Sequence, residues 1–174
     1  MKKAKLISAN RRQRGYTLVE VVVTITILAI LTSIALPSFI STVRNNRIIA
    51  QTNELITAFA LAKSEASKRG ARVSLCGSDG AVCSGGTTWT NGWLVFSDIN
   101  GDGSLDAGDE LLNSFSTDPQ TQITTDQVSI TYRSAGDITS ITNVRISTGG
   151  CSSAWQRQIA ILASGRAAVS KQDC

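Results

Sequence analysis

A carboxylate stands inside the most apolar stretch of the chain. Glu20 occupies the fifth position after Gly15, and residues 17–36 are otherwise apolar except for a few Thr and Ser. A segment of this length can cross the hydrocarbon core of a bilayer. Because a charge at that depth is costly, it is rare and usually has a specific partner. The sequence therefore predicts a membrane-spanning segment with a functional carboxylate.

Two other interpretations of this segment stay open. An acid near the start of a helix is favoured by the helix dipole, although only by about 1 kcal/mol or less. The segment also has a small-x-small sequence at Ser33-Ile34-Ala35, as a cleaved secretory signal would. The charge of Glu20 and the length of the apolar run fit such a signal poorly.

A second group of oxygen-bearing side chains lies in residues 98–109. Its spacing is that of a calcium loop, with Gly103 at the sixth position for a sharp turn. It resembles the loop of dockerins and EF-hands. The candidate ligands are Asp98, Asn100, Asp102, Ser104, Asp106 and Asp109. The alternative is a metal-free turn between two strands, rich in Asp, Asn and Gly.

The four cysteines predict two disulfides in an exported domain. Four cysteines allow three connectivities. We favour Cys76–Cys83 and Cys151–Cys174, because each pair closes a local unit. A free reactive thiol is the alternative, but no neighbouring group in the sequence indicates thiolate activation.

The chain contains no histidine. That absence excludes Ser-His-Asp and Cys-His nucleophile pairs and the common histidine-containing zinc sites. The cysteine spacing is not that of a metal site either. The sequence therefore predicts that the protein is not an enzyme and has no cofactor other than the candidate calcium ion.

The positive net charge is concentrated at the N-terminus. The formal charge is +4, but a basic cluster without any acid precedes Tyr16: Lys2, Lys3, Lys5, Arg11, Arg12 and Arg14. Such a flank stays on the cytoplasmic side of a membrane, so the bulk of the chain should lie on the outer side. Without this cluster, acids outnumber bases.

Periodicity predicts an α+β fold. A helix is expected from about Thr17 to Arg69, loosened at Pro37, with an amphipathic second half and Gly70 after its last turn. Short alternating segments then predict a mainly antiparallel sheet packed on that second half. The predicted organisation is a basic leader at 1–15, a membrane-spanning half of the helix at 16–43, and a head domain at 44–174. Trp89 and Trp93 are expected in the helix–sheet core.

The sequence resembles a known family at both ends. The run Arg14-Gly15-Tyr16-Thr17-Leu18-Val19-Glu20 resembles the type IV prepilin signal. The head resembles the FimT/FimU/GspH group of minor pilins and minor pseudopilins. It does so through Val73-Ser74-Leu75-Cys76, Trp89, Asn91-Gly92-Trp93-Leu94-Val95-Phe96-Ser97-Asp98, Gly108-Asp109-Glu110-Leu111-Leu112 and Gly165-Arg166.

The resemblance implies a fold and a life cycle. It implies a type IV pilin-like fold and cleavage after Gly15 by a prepilin peptidase. The new N-terminus, Tyr16, would be N-methylated, and Glu20 would pair with the terminal amine of an adjacent subunit. The implied protein is anchored in the inner membrane and then joins a pilus with other minor and major pilins, helping to initiate or cap it.

Two alternative functions follow from the same resemblance. One is a minor pseudopilin of type II secretion. The other is a DNA-binding pilin subunit for natural transformation, in which basic residues of a Gly-Arg-x-Arg motif contact DNA. Here Gly165-Arg166-Ala167-Ala168 matches only the first half of that motif. Arg157, Arg166 and Lys171 are the candidate DNA contacts, and a solvated sheet face is the alternative.

Overall fold

The chain begins with one long helix. The computed structural model describes residues 15–148 and 156–172. Helix α1 runs from Leu18 to Arg69 and includes Pro37. Residues 1–41 and 42–174 form two compact units. The Cys151 and Cys174 positions and the basic cluster that precedes Gly15 lie outside the described residues.

The first unit contains the apolar half of α1. Its apolar side chains are exposed, among them Leu18, Val19, Ile34 and Phe39. In the described part of the chain, α1 is the one helix that is long and apolar enough to cross a membrane. An unpaired apolar surface of this kind needs a bilayer or other apolar helices around it.

The second half of α1 belongs to the head. One stripe of this half is buried, and it consists of Ile48, Gln51, Thr52, Leu55, Ala58, Phe59, Ala62 and Ala66. This spacing places the side chains on a single face, as the periodicity of the sequence predicts. After Arg69 the chain turns through Gly70 at a φ of 64°, and the amide of Ala71 donates to the carbonyl of Ala66. The helix therefore ends at a glycine C-cap.

Two antiparallel sheets pack against this stripe. The strands are β1 Val73–Asp79, β2 Val82–Cys83, β3 Trp93–Ser97, β4 Glu110–Phe115, β5 Thr121–Thr125, β6 Ser129–Tyr132, β7 Thr142–Thr148, β8 Gln156–Ile161 and β9 Ala167–Gln172. The first sheet has the order β2-β1-β3-β4, with β6 also paired to β1, and the second has the order β5-β7-β8-β9. The α+β, antiparallel architecture predicted from the sequence is confirmed.

The head has a large core and a small one. The large core joins the stripe of α1 to the inner faces of both sheets, and it contains Trp89 and Trp93, both fully buried as predicted. The small core lies on the outer face of the first sheet, where Cys76, Leu94 and Phe96 pack with Cys83 and Leu105. Strands β1 and β3 are therefore buried on both faces.

One segment differs from what its composition indicates. Residues 116–127 are rich in Thr, Gln and Asp, which is typical of an exposed loop, but they include strand β5, which pairs with β7. Thr121, Ile123 and Thr125 are buried and alternate with exposed Gln122 and Thr124. β-Branched side chains suit a half-buried strand, and this alternation outweighs the polar composition.

Candidate assembly segment and head surfaces

The predicted processing site lies at the start of the described chain. Gly15 and Tyr16 precede α1, and the Tyr16 side chain is 82% exposed. Tyr16 and Glu20 line one shallow depression together with Val21 and Thr24. The predicted new N-terminus and the carboxylate thus lie on the same side of the first helical turn.

Thr17 is the N-cap of α1, a role that the sequence analysis missed. Its hydroxyl oxygen accepts a hydrogen bond from the backbone amide of Glu20 at 3.3 Å. Thr17-x-x-Glu20 has the spacing of a capping box, and that spacing could have revealed the cap. Glu20 is exposed and follows the N-cap at the third helical position. The dipole interpretation of Glu20 therefore has a structural basis, and the pairing interpretation stays a prediction.

The structure contains the Cys76–Cys83 disulfide. It joins β1 to β2 across a short hairpin, and it covers the outer face of the first sheet beside Leu94 and Phe96. The other predicted bridge, Cys151–Cys174, lies outside the described residues. The described strand ends next to these cysteines are adjacent, because Gln156 of β8 pairs with Gln172 of β9.

Asp98 is a buried carboxylate at the start of the acidic loop, residues 98–109. It is only 1% exposed. Its oxygens accept hydrogen bonds from the amide of Gly101 at 2.6 Å, the amide of Gly103 at 3.1 Å and the hydroxyl of Ser74 at 2.6 Å. Ser74 also shares a hydrogen bond with the hydroxyl of Thr131 at 2.7 Å. Asp98 therefore fastens the loop to β1 and β6 from inside.

The other acidic side chains of the loop form hydrogen bonds within it. The Asn100 amide nitrogen donates to Asp102 at 2.9 Å and to Asp106 at 3.2 Å. Asp109 accepts hydrogen bonds from the amides of Ile99 and Asp106, both at 3.0 Å. The amide of Ser104 donates to Asp102, and this bond lowers the pKa of that carboxyl below its ordinary value.

The side chains of five of the six predicted calcium ligands form hydrogen bonds within the loop. Ser104 contributes its backbone amide, and its side chain is solvent-exposed. The oxygen donors are of the type that calcium prefers. Within residues 15–148 and 156–172, however, no group of three or more Asp, Glu, His or Cys is arranged to hold a metal ion. Calcium binding here stays a prediction.

The three candidate DNA contacts lie at two separate places. Arg157 and Lys171 are directly opposite each other on β8 and β9, so their side chains share one face. Arg166 lies in the turn between these strands, at the other end of β9. Arg166 and Lys171 are five positions apart, which is about 16 Å along an extended strand. The predicted basic face is therefore a pair of cations plus a distant single one.

Gly165 of that turn is required by packing. Its φ is 71°, and a Cβ there would lie 2.1 Å from the carbonyl oxygen of Gly136 and 2.9 Å from the ring of Tyr132. The Tyr132 hydroxyl donates to the Gly165 carbonyl at 3.5 Å, and burial raises the pKa of this phenol. Gly165 thus joins the second sheet to the end of the first.

A long N-terminal helix with an apolar first half, packed on antiparallel sheets through its second half, defines a type IV pilin-like protein. The family "Type II transport protein GspH" matches residues 51–165, and the "Prokaryotic N-terminal methylation motif" matches residues 10–36. The chain belongs to the GspH family, a group of structural pilin and pseudopilin subunits. A search of curated protein sequences found no match.

Solved structures show the same fold. The type IV minor pilin FimU of Pseudomonas aeruginosa PAO1 is similar in two crystal forms, with TM-scores of 0.52 and 0.56 and identities of 17% and 16%. The alignments cover 68% and 73% of this chain and 88% and 89% of FimU. The minor pseudopilin EpsH of Vibrio cholerae matches with a TM-score of 0.52 and 11% identity, over 72% of this chain and 97% of EpsH.

Proposed function

We propose that this chain is a minor pilin, a structural subunit that helps to initiate or cap a type IV pilus. The observation that carries the proposal is the prepilin motif, followed by an apolar first half of α1 whose side chains are exposed and by a GspH-type head. Before assembly the helix anchors the protein in the inner membrane, with the head in the periplasm. During assembly the helix leaves the lipid and packs beside the helices of other pilins.

Glu20 and Tyr16 supply the chemistry of docking in this proposal. A prepilin peptidase cuts after Gly15, and the amine of Tyr16 is methylated but keeps its positive charge. That amine on one subunit then neutralises the Glu20 carboxylate of its neighbour. In an apolar fibre core, leaving either charge unpaired would be costly, so the pair favours one axial register.

A matched set of variants separates pairing from helix capping. Glu20→Gln retains a side chain that suits a capping box but removes the charge, so we expect processing without assembly. Thr17→Ala removes the N-cap hydroxyl and leaves the charge, so assembly should persist. Gly15→Leu should block cleavage, which a mass measurement of the membrane-bound protein reports. Normal assembly of Glu20→Gln would contradict the pairing role.

The alternative function is a minor pseudopilin of type II secretion. The description of the matching family and the likeness to EpsH both favour this candidate. Deleting the gene and measuring surface pili beside secreted proteins distinguishes the two functions. Loss of pili with normal secretion supports the minor pilin, and the reverse result supports the pseudopilin. The fibre with which a tagged chain co-purifies should agree.

A further inference from the structure

Basic residues gather at the end of the head where α1 enters it. Arg47 of α1 forms a hydrogen bond with the Gln120 side chain and a salt bridge with Asp118 at 3.7 Å. Arg44, one turn earlier on α1, lines a shallow depression that also includes Gln120. Both arginines therefore lie beside the start of β5, which begins at Thr121.

The register of the second sheet brings two further cations to the same end. Thr121 at the start of β5 pairs with Thr148, the last residue of β7. On the next strand Arg157 pairs with Ile146, so Arg157 and Thr148 are diagonal neighbours about 7–8 Å apart. Lys171 of β9 lies directly opposite Arg157. The basic end of the head is the name used below for Arg44, Arg47, Arg157 and Lys171.

The charge of the basic end is only partly compensated. Within residues 15–148 and 156–172, Arg44 and Arg157 form neither a salt bridge nor a side-chain hydrogen bond. Asp118 compensates Arg47. Arg157 shares the inner face of the sheet with its partner Ile146, a member of the large core, and this face packs against α1. The basic end therefore favours an anionic partner.

The depression beside Arg44 offers hydrogen-bond donors to such a partner. Its volume is about 340 Å³, and its other lining residues are Pro119, Gln120, Gln122 and Thr148. A guanidinium, amide nitrogens and a hydroxyl can all donate to the oxygens of a phosphate. No carboxylate is among these lining residues, so nothing in the lining repels an anion.

Chain position brings the basic end close to the membrane-spanning segment. Ile40 is the last large apolar side chain in the exposed series of α1. Arg44 follows it by four residues, which is about 6 Å, or one turn, along a helix. A residue so near the span lies at the level of the lipid headgroups. Each Lys or Arg at an anionic bilayer surface strengthens binding about fivefold.

We propose that the basic end binds the phosphate of an anionic phospholipid headgroup while the chain is anchored in the membrane. The inference rests on the proposed function, which gives the chain an anchored stage before assembly. Arg44 and the depression hold the phosphate, and Arg157 adds to the attraction. Duplex DNA carries the same phosphates, but it would have to approach within one helical turn of the span, so the lipid is favoured.

Photocrosslinking of the full-length chain in lipid vesicles tests this contact. The substitution Ser41→p-benzoylphenylalanine places the probe three residues before Arg44, where it is a neighbour on the helix surface. The vesicles contain equal amounts of anionic phosphatidylglycerol and zwitterionic phosphatidylcholine. Mass spectrometry then identifies which lipid is joined to the chain. We expect phosphatidylglycerol adducts to predominate.

Two matched double variants separate the basic end from net charge. Arg44→Gln with Arg157→Gln should lower the ratio of phosphatidylglycerol to phosphatidylcholine adducts by about fivefold for each cation removed. Lys63→Gln with Arg166→Gln removes the same charge beside the turn between β8 and β9, and it should leave the ratio unchanged. If the first variant does not fold, salt replaces it, because the ratio for the native side chains should fall as ionic strength rises. A ratio that responds to neither change overturns the proposal.

Soluble phosphates identify the occupant. Millimolar glycerol phosphate and duplex DNA are added separately at matched ionic strength, and neither should change the ratio. Suppression by glycerol phosphate would show that the basic end binds free phosphate, and suppression by DNA would show that it binds nucleic acid. Either result overturns the lipid proposal.

Retention of the chain in the vesicles after an alkaline wash separates the two possible failures. If the chain is retained but gives no lipid adduct, or no preference for phosphatidylglycerol, this inference is wrong and the proposed function stands. If the chain is not retained, the anchored stage of the proposed function fails, and this inference fails with it.

Discussion

The hydroxyl of Ser74 on β1 donates a 2.6 Å hydrogen bond to the carboxylate of Asp98 at the end of β3, and both residues are buried. This contact crosses two neighbouring strands and meets the acidic loop at its first residue. Ser74, on a central strand, thereby helps to stabilise the buried carboxylate of Asp98 at the start of the loop.

Ser74→Ala should destabilise the head. Removing one donor leaves a buried carboxylate with one hydrogen bond fewer, which costs about 1–3 kcal/mol. Urea unfolding of residues 42–174 measures the change in the free energy of unfolding. Ser104→Ala, at an exposed position of the same loop, should change it by less than about 0.5 kcal/mol. If the two substitutions change the free energy of unfolding equally, the buried hydrogen bond contributes no more to stability than the exposed side chain of Ser104.

Cys83→Ala should weaken the small core. The variant loses the bridge to Cys76 and the cover over the outer face of the first sheet. Loss of a native disulfide from a small exported domain costs about 2–5 kcal/mol. Thermal unfolding of the head in oxidising buffer is the measurement, and Val82→Ala, an exposed neighbour, is the control. Unchanged unfolding of Cys83→Ala would contradict a stabilising role for the bridge.

Cys151→Ala tests the second predicted disulfide. Gln156, which follows Cys151 in the chain, pairs with Gln172, which precedes Cys174. We expect one free thiol per molecule at Cys174 and a lower melting temperature. Mass spectrometry after alkylation counts the thiols. An unmodified protein that already has two reactive thiols would exclude this pairing.

Calcium should raise the melting temperature of the head. Asp102 and Asp106 face each other across the neutral amide of Asn100, and a divalent cation would neutralise both carboxylates. Calorimetry and thermal unfolding with millimolar calcium measure binding, and Asp106→Asn should weaken the response. If calcium gives neither heat nor a shift, the loop is a metal-free turn held by its own hydrogen bonds.

Duplex DNA should not bind the head at physiological salt. Affinity for DNA grows with the number of phosphates that are neutralised together, and Arg166 is separated from the Arg157 and Lys171 pair by about 16 Å of strand. Fluorescence anisotropy at low and physiological salt is the measurement. Salt-dependent binding that disappears in an Arg166→Ala/Lys171→Ala variant would contradict this expectation and support a DNA-receptor subunit.

Periodicity was sufficient for the elements that carry the large core. The helical spacing of Ile48, Leu55 and Phe59 and the apolar run from Trp93 to Phe96 mark buried faces directly. Strands β4 and β9 were not predicted, because both are edge strands with mostly exposed side chains and a weak alternation. The sequence signal of a strand is largely a signal of its burial.

The surfaces were harder to predict than the core. Arg157 and Lys171 are far apart in sequence and become neighbours only through the register of β8 and β9. The hydrogen bonds of Asp98 depend on where Ser74 lies on the adjacent strand. The prepilin motif was recognisable because its residues, from Arg14 to Glu20, are consecutive in the chain, so that the motif can be read without any tertiary contact.

Gly165 has a consequence for how related sequences should be searched. A Gly-Arg dipeptide near the C-terminus would count as half of a DNA-uptake motif in any pattern search. In this chain the glycine is needed because the Gly136 carbonyl occupies the space of a side chain, whatever the arginine beside it does. Genome surveys that count DNA receptors by this dipeptide would include proteins in which it only closes a turn. The second arginine of the motif is therefore needed to identify a DNA receptor.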